Sequence, residues 1–274
     1  MDNDRGSPNA RAAGRVRYSS VVAVIAAIAL LVLLLAARGA WLEPRVWLRT
    51  YAVTALVTLV AAAVSFWQVS HATGGGTAAS AAWRVLFAGM AIFLLGHAHL
   101  TYQRFVSPTA DTAFPSLADV FFVVGQTLLI AGLVIHLIAY LRTGLPVGHR
   151  LSYVLMYVIV AVVVAYLTAK LNLPMWDDVT RTFGWKMVNT VYHVIDMLTL
   201  CVALALLRMA LLFRGGALAQ GWAAIAVGFV FMMVADLTFG IGVPAEYSAL
   251  GYFASYASIT YGVVRHREVI LSVR

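Results

Sequence analysis

The sequence predicts an all-α protein, a polytopic transmembrane bundle of about eight helices. Three observations carry this. Of 274 residues, 62% are hydrophobic and 11% are charged, and the mean hydropathy is +0.89. A soluble domain is about 45–50% apolar and about 25% charged. The apolar residues fall in continuous runs of about 20, the length of a membrane-crossing helix, without the alternation of a barrel strand. The breaks between runs all contain Gly or Pro: RGAWLEPR, HATGGGTAAS, SPTADTAFPS, RTGLPVGH, NLPMWDDVTRTFG, RGGALAQG and GVPAEY.

In chain order, residues 1–17 are polar, basic and Gly/Pro-containing, and read as a disordered cytoplasmic tail. The spans expected are 18–37, 50–70, 83–103, 117–141, 150–169, 185–212, 218–241 and 247–265, so that residues 18–265 form the transmembrane domain. Residues 266–274 make a short cytoplasmic tail. The first apolar run is longer than the core of a signal peptide and is read as a retained span.

The net charge of +8 comes from 19 Lys and Arg against 11 acids. No basic run is interleaved with polar aromatics, so the charge points to basic loops retained on the cytoplasmic side and not to nucleic acid. With both termini inside, Arg5, Arg11, Arg15, Arg17, Arg84, Arg142, Arg150, Arg208, Arg214, Arg265, Arg267 and Arg274 are cytoplasmic, 12 of the 19 cations. The acids outside the spans, Glu43, Asp111, Asp119, Asp177, Asp178 and Glu246, fall mostly on the other side. This orients a multi-pass protein of a cell membrane.

Several chemistries lack their residues. Cys201 is the single cysteine, so there is no intrachain disulfide and no thiolate zinc cluster. The two lysines, Lys170 and Lys186, lie in or beside a loop and cannot hold retinal inside a span. No HExxH, GxSxG or Walker motif occurs, and no catalytic residue is assigned. No cofactor is expected; His97 and His193 are the one pair considered for a bis-histidine haem b.

The informative residues are polar groups inside apolar runs, where a charge costs about 2.5–3.5 kcal/mol on insertion scales. Asn189, His193 and Asp196 lie at i, i+4 and i+7, on one helix face. Counting depth along the alternating spans puts His97, Asp119, Gln126, Asn189, His193, Asp196 and Asp236 in the outer half. The expected site is a polar cluster there for a small ligand, an ion or a proton. Plainer roles stand beside it. Asp119 suits the first turn of its helix, and Asp196 and Asp236 suit hydrogen bonds between helices. His136 reads as a lone packed or snorkelling histidine, and Gly89, Gly96, Gly125, Gly132 and Gly228 as close-packing points.

A weak repeat adds to this. Aligning Trp83 with Trp222 brings Gly89 onto Gly228 and His97 onto Asp236, and SLADVFF at 116–122 then meets SALGYFA at 248–254. Such a parallel repeat would divide the chain into two four-helix halves.

FPSLADVFFVVGQTLLIAGL at 114–133, the Tyr192/Asp196 spacing, Ala235–Asp236 with Phe239, and YGVVRHREVI at 261–270 together resemble a bacterial family. It is the multi-spanning N-terminal sensor region of membrane diguanylate cyclases, phosphodiesterases and histidine kinases. The departures are Gln126–Thr127, where the family carries an aromatic–proline pair, and the lack of a GGDEF, EAL, kinase or PAS segment in these 274 residues. The resemblance implies a sensory module that acts through a separate cytoplasmic or membrane partner, and it points to Asp119, Asp196 and Asp236. A small proton-coupled transporter and an accessory subunit of a larger complex are the alternatives.

Overall fold

The computed structural model describes residues 18–39, 43–106, 114–144, 148–212, 216–243 and 245–273. The expected tail at 1–17, Arg214, Arg274 and Asp111 lie outside them. The described chain is helical, with no strand. The helices are α1 (Tyr18–Gly39), α2 (Pro44–Ala72), α3 (Ala78–Val106), α4 (Leu117–Arg142), α5 (Arg150–Leu167), α6 (Phe183–Leu211), α7 (Ala217–Gly240) and α8 (Ala245–Val273). Beyond α5 the chain runs through a π-helical turn, Thr168–Asn172, into Leu173–Asp177. The wider turn precedes Pro174, whose ring would clash with the carbonyl four residues back in a regular helix.

Eight spans were expected, but six described helices are long and apolar enough to cross a membrane: α2 to α7. In α1 the apolar stretch identified is the shorter Val21–Leu30. The last helix, α8, has the length of a span but carries Ser248, Tyr252, Ser255, Tyr256, Thr260 and, near its end, Arg265 to Glu268. It tolerates these residues because it is walled in by protein: α2, α7 and α1 all pack on it. It also continues past residue 265 as one rod to Val273.

Local chemistry sets the helix ends. Pro44 opens α2, where its missing N–H costs nothing. Gly74 and Gly76, at φ 84° and 83°, make the left-handed turn into α3. The Thr182 hydroxyl accepts the Trp185 N–H at 3.2 Å and starts α6. Thr50, Thr54 and Thr58 on α2 each return their hydroxyl to the carbonyl four residues back, at 2.9, 2.8 and 2.8 Å. Hydroxyls satisfied in this way can face hydrocarbon.

Packing joins α2, α3, α4, α6, α7 and α8 into a closed ring, α8 returning to α2. The tightest pairs are the hairpins α3–α4 and α7–α8. Glycine sets their spacing. A Cβ on Gly89 would lie 2.8 Å from the Gly125 carbonyl and 2.9 Å from the Leu129 nitrogen. One on Gly228 would lie 3.0 Å from the Ser255 carbonyl and 3.2 Å from the Ile259 nitrogen. Gly132 meets Leu86 in the first hairpin as Gly262 meets Ile225 in the second. The two hairpins therefore share one register, with α3 equivalent to α7 and α4 to α8. The equivalence pairs Gly125 with Ser255 and His136 with His266, two residues from the pairing that aligns Ser116 with Ser248.

At one end the ring axis is filled by this symmetry. Trp83 and Trp222 stack across it with centroids 6.1 Å apart. His136 packs against them at 4.5 and 5.6 Å, and His266 at 5.1 and 5.0 Å. His136 is thus one of four rings in a plug, and not a lone packed histidine. By contrast α5 buries none of its side chains and touches the rest mainly through α6.

Overpacking a tight core costs about 1–3 kcal/mol, and a free surface site stays within about 0.5 kcal/mol. Gly89→Leu should therefore lower the thermal midpoint in detergent clearly, whereas Gly75→Ala, with nothing within 4 Å of its Cβ, should leave it unchanged.

Candidate functional site

At the end of the ring opposite the four-ring plug, the axis widens into a cavity of about 160 Å³. It is bounded by the start of α2, the end of α3, the starts of α4, α6 and α8, and the end of α7. Within each hairpin the helices run antiparallel, while α4 beside α6 and α8 beside α2 run parallel, and this brings these termini to one end. Its polar groups are His97 and Arg104 on α3, Asp119 and Gln126 on α4, Tyr192 on α6, Asp236 on α7 and Ser248, Tyr252 and Tyr256 on α8, with Tyr51 on α2. Phe93, Phe114, Phe122 and Phe239 supply apolar wall.

Most of these polar groups hold one another. Asp119 sits at the third position of α4 and receives the Ser116 hydroxyl at 2.9 Å and the Ser116 backbone N–H. Its other oxygen accepts the Tyr192 hydroxyl at 2.7 Å. Asp119 is thus both a helix-start carboxylate and a link from α4 to α6. His97 Nε2 shares a 2.6 Å hydrogen bond with the Tyr256 hydroxyl, joining α3 to α8 across the ring. Tyr252 donates to Asp236, joining α8 to α7. The Arg104 guanidinium lies 5.8 Å over the Tyr51 ring.

Below the cavity, Gln126 donates to Asp196 at 3.1 Å and to the Met232 sulfur at 3.4 Å. Asp236 lies one helical turn beyond Met232 on α7, so Gln126 touches both the α6 and α7 walls at this level. Asp196 is 3% exposed, and its Oδ2 has no partner among the described residues; the same holds for Gln126 Oε1.

His97, Asp119, Gln126 and Asp236 thus line one cavity, and Asp196 joins them through Gln126. Asn189 and His193 stand apart. The Asn189 amide donates to the Met175 sulfur at 2.8 Å and packs against Gly240. His193 Nδ1 bonds the Asn189 carbonyl at 2.7 Å, and its buried Nε2 has no partner among the described residues. The sequence reading omitted Arg104 and the tyrosines 51, 252 and 256 as site residues, and it used Tyr192 only as part of a motif. One signal for them was present: Ser248, Tyr252 and Tyr256 recur at i, i+4 and i+8 on one face of the least apolar helix. No cluster of three or more His, Cys, Asp or Glu suited to a metal ion occurs among the described residues.

No protein-family model matches the chain, and no curated protein or solved structure is significantly similar to it. The site therefore rests on its own geometry.

Removing a donor from a buried carboxylate costs about 1–3 kcal/mol. Tyr192→Phe should lose roughly this much stability. In a double-mutant cycle with Asp119→Asn the two losses should fall short of additive, because both variants break one contact.

Proposed function

We propose that this membrane protein is a sensory module, and that a small polar ligand occupies the cavity at the outer face and acts on a separate partner through α8. One observation carries the reading. The helix that supplies Ser248, Tyr252 and Tyr256 to the cavity runs unbroken to Val273. A ligand wedged between α8 and the α3–α4 hairpin would bear directly on that rod.

The cavity suits a ligand small enough for about 160 Å³. Arg104, with no carboxylate partner among the described residues, would meet an anionic group; the tyrosine hydroxyls and His97 would fix its orientation. At the other end of α8, Glu268 accepts the Ser19 backbone N–H and hydroxyl, both at 2.8 Å, and pairs with Arg265 at 2.8 Å. Arg265 also reaches Gln220 on α7 at 3.3 Å. This clasp of α1, α7 and α8 is the element whose two states a partner would read. A ligand shifts such an equilibrium only by binding the two states unequally. A transporter would instead need a polar route through both ends, and the stacked rings of Trp83, His136, Trp222 and His266 fill the axis at the end opposite the cavity.

Leu100 lines the cavity and makes no polar contact, so a cysteine there serves as a probe. In a Cys201→Ser background, Leu100→Cys should react with a membrane-impermeant methanethiosulfonate added outside. The adduct should change amide exchange over residues 261–273. A thiol protected from that reagent would refute the outward-facing cavity. Unchanged exchange after full modification would refute transmission through α8.

A further inference from the structure

Two charged side chains line the cavity without a partner of opposite sign. Arg104, at the end of α3, lies over the Tyr51 ring and pairs with no carboxylate among the described residues. Asp236, on α7, is 8% exposed. Tyr252 donates to one of its oxygens, and the other has no hydrogen-bond partner among the described residues. That second oxygen is not sealed in protein as Asp196 Oδ2 is, so it opens on the cavity that Asp236 lines. The third charged group in the wall, Asp119, is already answered. It takes the Ser116 N–H, the Ser116 hydroxyl and the Tyr192 hydroxyl at the start of α4. Asp196 bonds Gln126 below the cavity and is no part of its wall.

The two unanswered charges stand at different heights. His97 on α3 and Tyr256 on α8 meet at one level. Arg104 is seven residues from His97 toward the end of α3, roughly 10 Å of helix. Tyr252, which holds Asp236, is four residues from Tyr256 toward the start of α8, roughly 6 Å in the same direction. Arg104 therefore stands about one turn nearer the mouth than Asp236.

We infer that the cavity binds a small zwitterionic amino acid, its carboxylate on Arg104 near the mouth and its ammonium on Asp236 below. This rests on reading the cavity as a ligand site and names the class of ligand. A simple anion would answer Arg104 and leave Asp236 unpaired, and a simple cation would do the reverse. One molecule with both charges leaves neither, and it adds no net charge to the bundle. The guanidinium fork matches a carboxylate through two parallel hydrogen bonds. The aromatic wall suits an ammonium as well as an apolar body. A cavity of about 150 Å³ accepts benzene. The space here, about 160 Å³, therefore takes a single small amino acid and not a peptide.

The test is binding to the full chain in nanodiscs at neutral pH, read as the rise in thermal midpoint with ligand concentration. The probes are L-alanine, L-leucine and 4-aminobutanoate. Each is set beside the carboxylate and the amine that lack one of its charges, 4-methylpentanoate and 3-methylbutylamine in the case of leucine. At least one amino acid should bind about tenfold or more tightly than either of its one-charge relatives. Arg104→Gln should bring that amino acid down to the level of its amine, and Asp236→Asn down to the level of its carboxylate. A merely structural role would not give this reciprocal loss. Arg104 is only half-buried, so Arg104→Gln keeps the fold and decides the matter should Asp236→Asn not fold. A midpoint unmoved by all three amino acids would overturn the inference. So would an equal response to a one-charge relative, or a response that survives Arg104→Gln. Leu100→Cys labelling needs no amino acid. An open cavity that binds none of the probes therefore sinks this inference alone, whereas a protected thiol sinks the reading beneath it.

Discussion

Inside a bilayer, water is not at hand to solvate a buried carboxyl, imidazole or phenol, so each must find its partner within the protein. That constraint organises the whole structure. The chain carries its polar span residues on faces that turn toward a common axis, and six helices close around that axis so that the faces meet. Three polar bonds inside the ring join helices that are not consecutive in sequence: His97 to Tyr256, Asp119 to Tyr192, Gln126 to Asp196. Without the ring these groups would lie against lipid at a cost of about 2.5–3.5 kcal/mol for each charge. With it, the same groups act as cross-ties.

The ring's diameter is set by a second feature, the glycine contacts of its two hairpins. Where Gly89 and Gly228 let backbones touch, the helices have no room for a side chain between them, and what lies inside the ring must come from their other faces. At one end this interior is filled by two indoles and two imidazoles in matched positions. At the other end the matched positions differ: His97 stands where the second hairpin has Asp236, and Gln126 where it has Tyr256. The smaller and unlike groups leave a cavity. The repeat thus explains both ends of the axis, since equal residues made a plug and divergent residues made a pocket.

Much of this was legible in the sequence and some was not. The eight apolar runs became eight helices with bounds close to those expected, because a run of that length bounded by Gly or Pro has few other options in a membrane. The count of eight spans exceeds the six described helices that qualify, α1 and α8 falling out; in α8 hydropathy reports the average residue, and the helix is polar on one face because that face is enclosed. Depth along the alternating spans collected His97, Asp119, Gln126, Asp196 and Asp236 at one level. The same count also selected Asn189 and His193, which share the face of Asp196 but lie nearer the start of α6. There the neighbouring surface is Met175 and Gly240, not the cavity. Helical periodicity gives a direction and a height, and it does not say which neighbour stands there. Tyrosines 252 and 256 were passed over because a phenol is at home in an apolar face until its hydroxyl is seen to be bonded. The register of the repeat was set two residues off in α4 and α8, because the loops between the hairpin helices differ in length and only contacts across the pair fix the pairing.

A single helix, α8, takes part in the cavity, in one tight hairpin and in the plug. Its tyrosines bond His97 and Asp236 at the cavity, its Gly262 seats it against Gly221 in the tight hairpin, and His266 closes the four-ring plug. On either side of His266 in sequence, Arg265 and Glu268 tie it to α7 and to the start of α1. Such a rod cannot slide or roll at one end alone. In the sensory reading proposed above, displacing Tyr256 from His97 would bear, along the same rod, on the face where His266 packs against Trp83 and Trp222. In that reading the four-ring plug would be the fulcrum between the cavity and the clasp around Glu268, and the least apolar helix of the bundle would carry the disturbance.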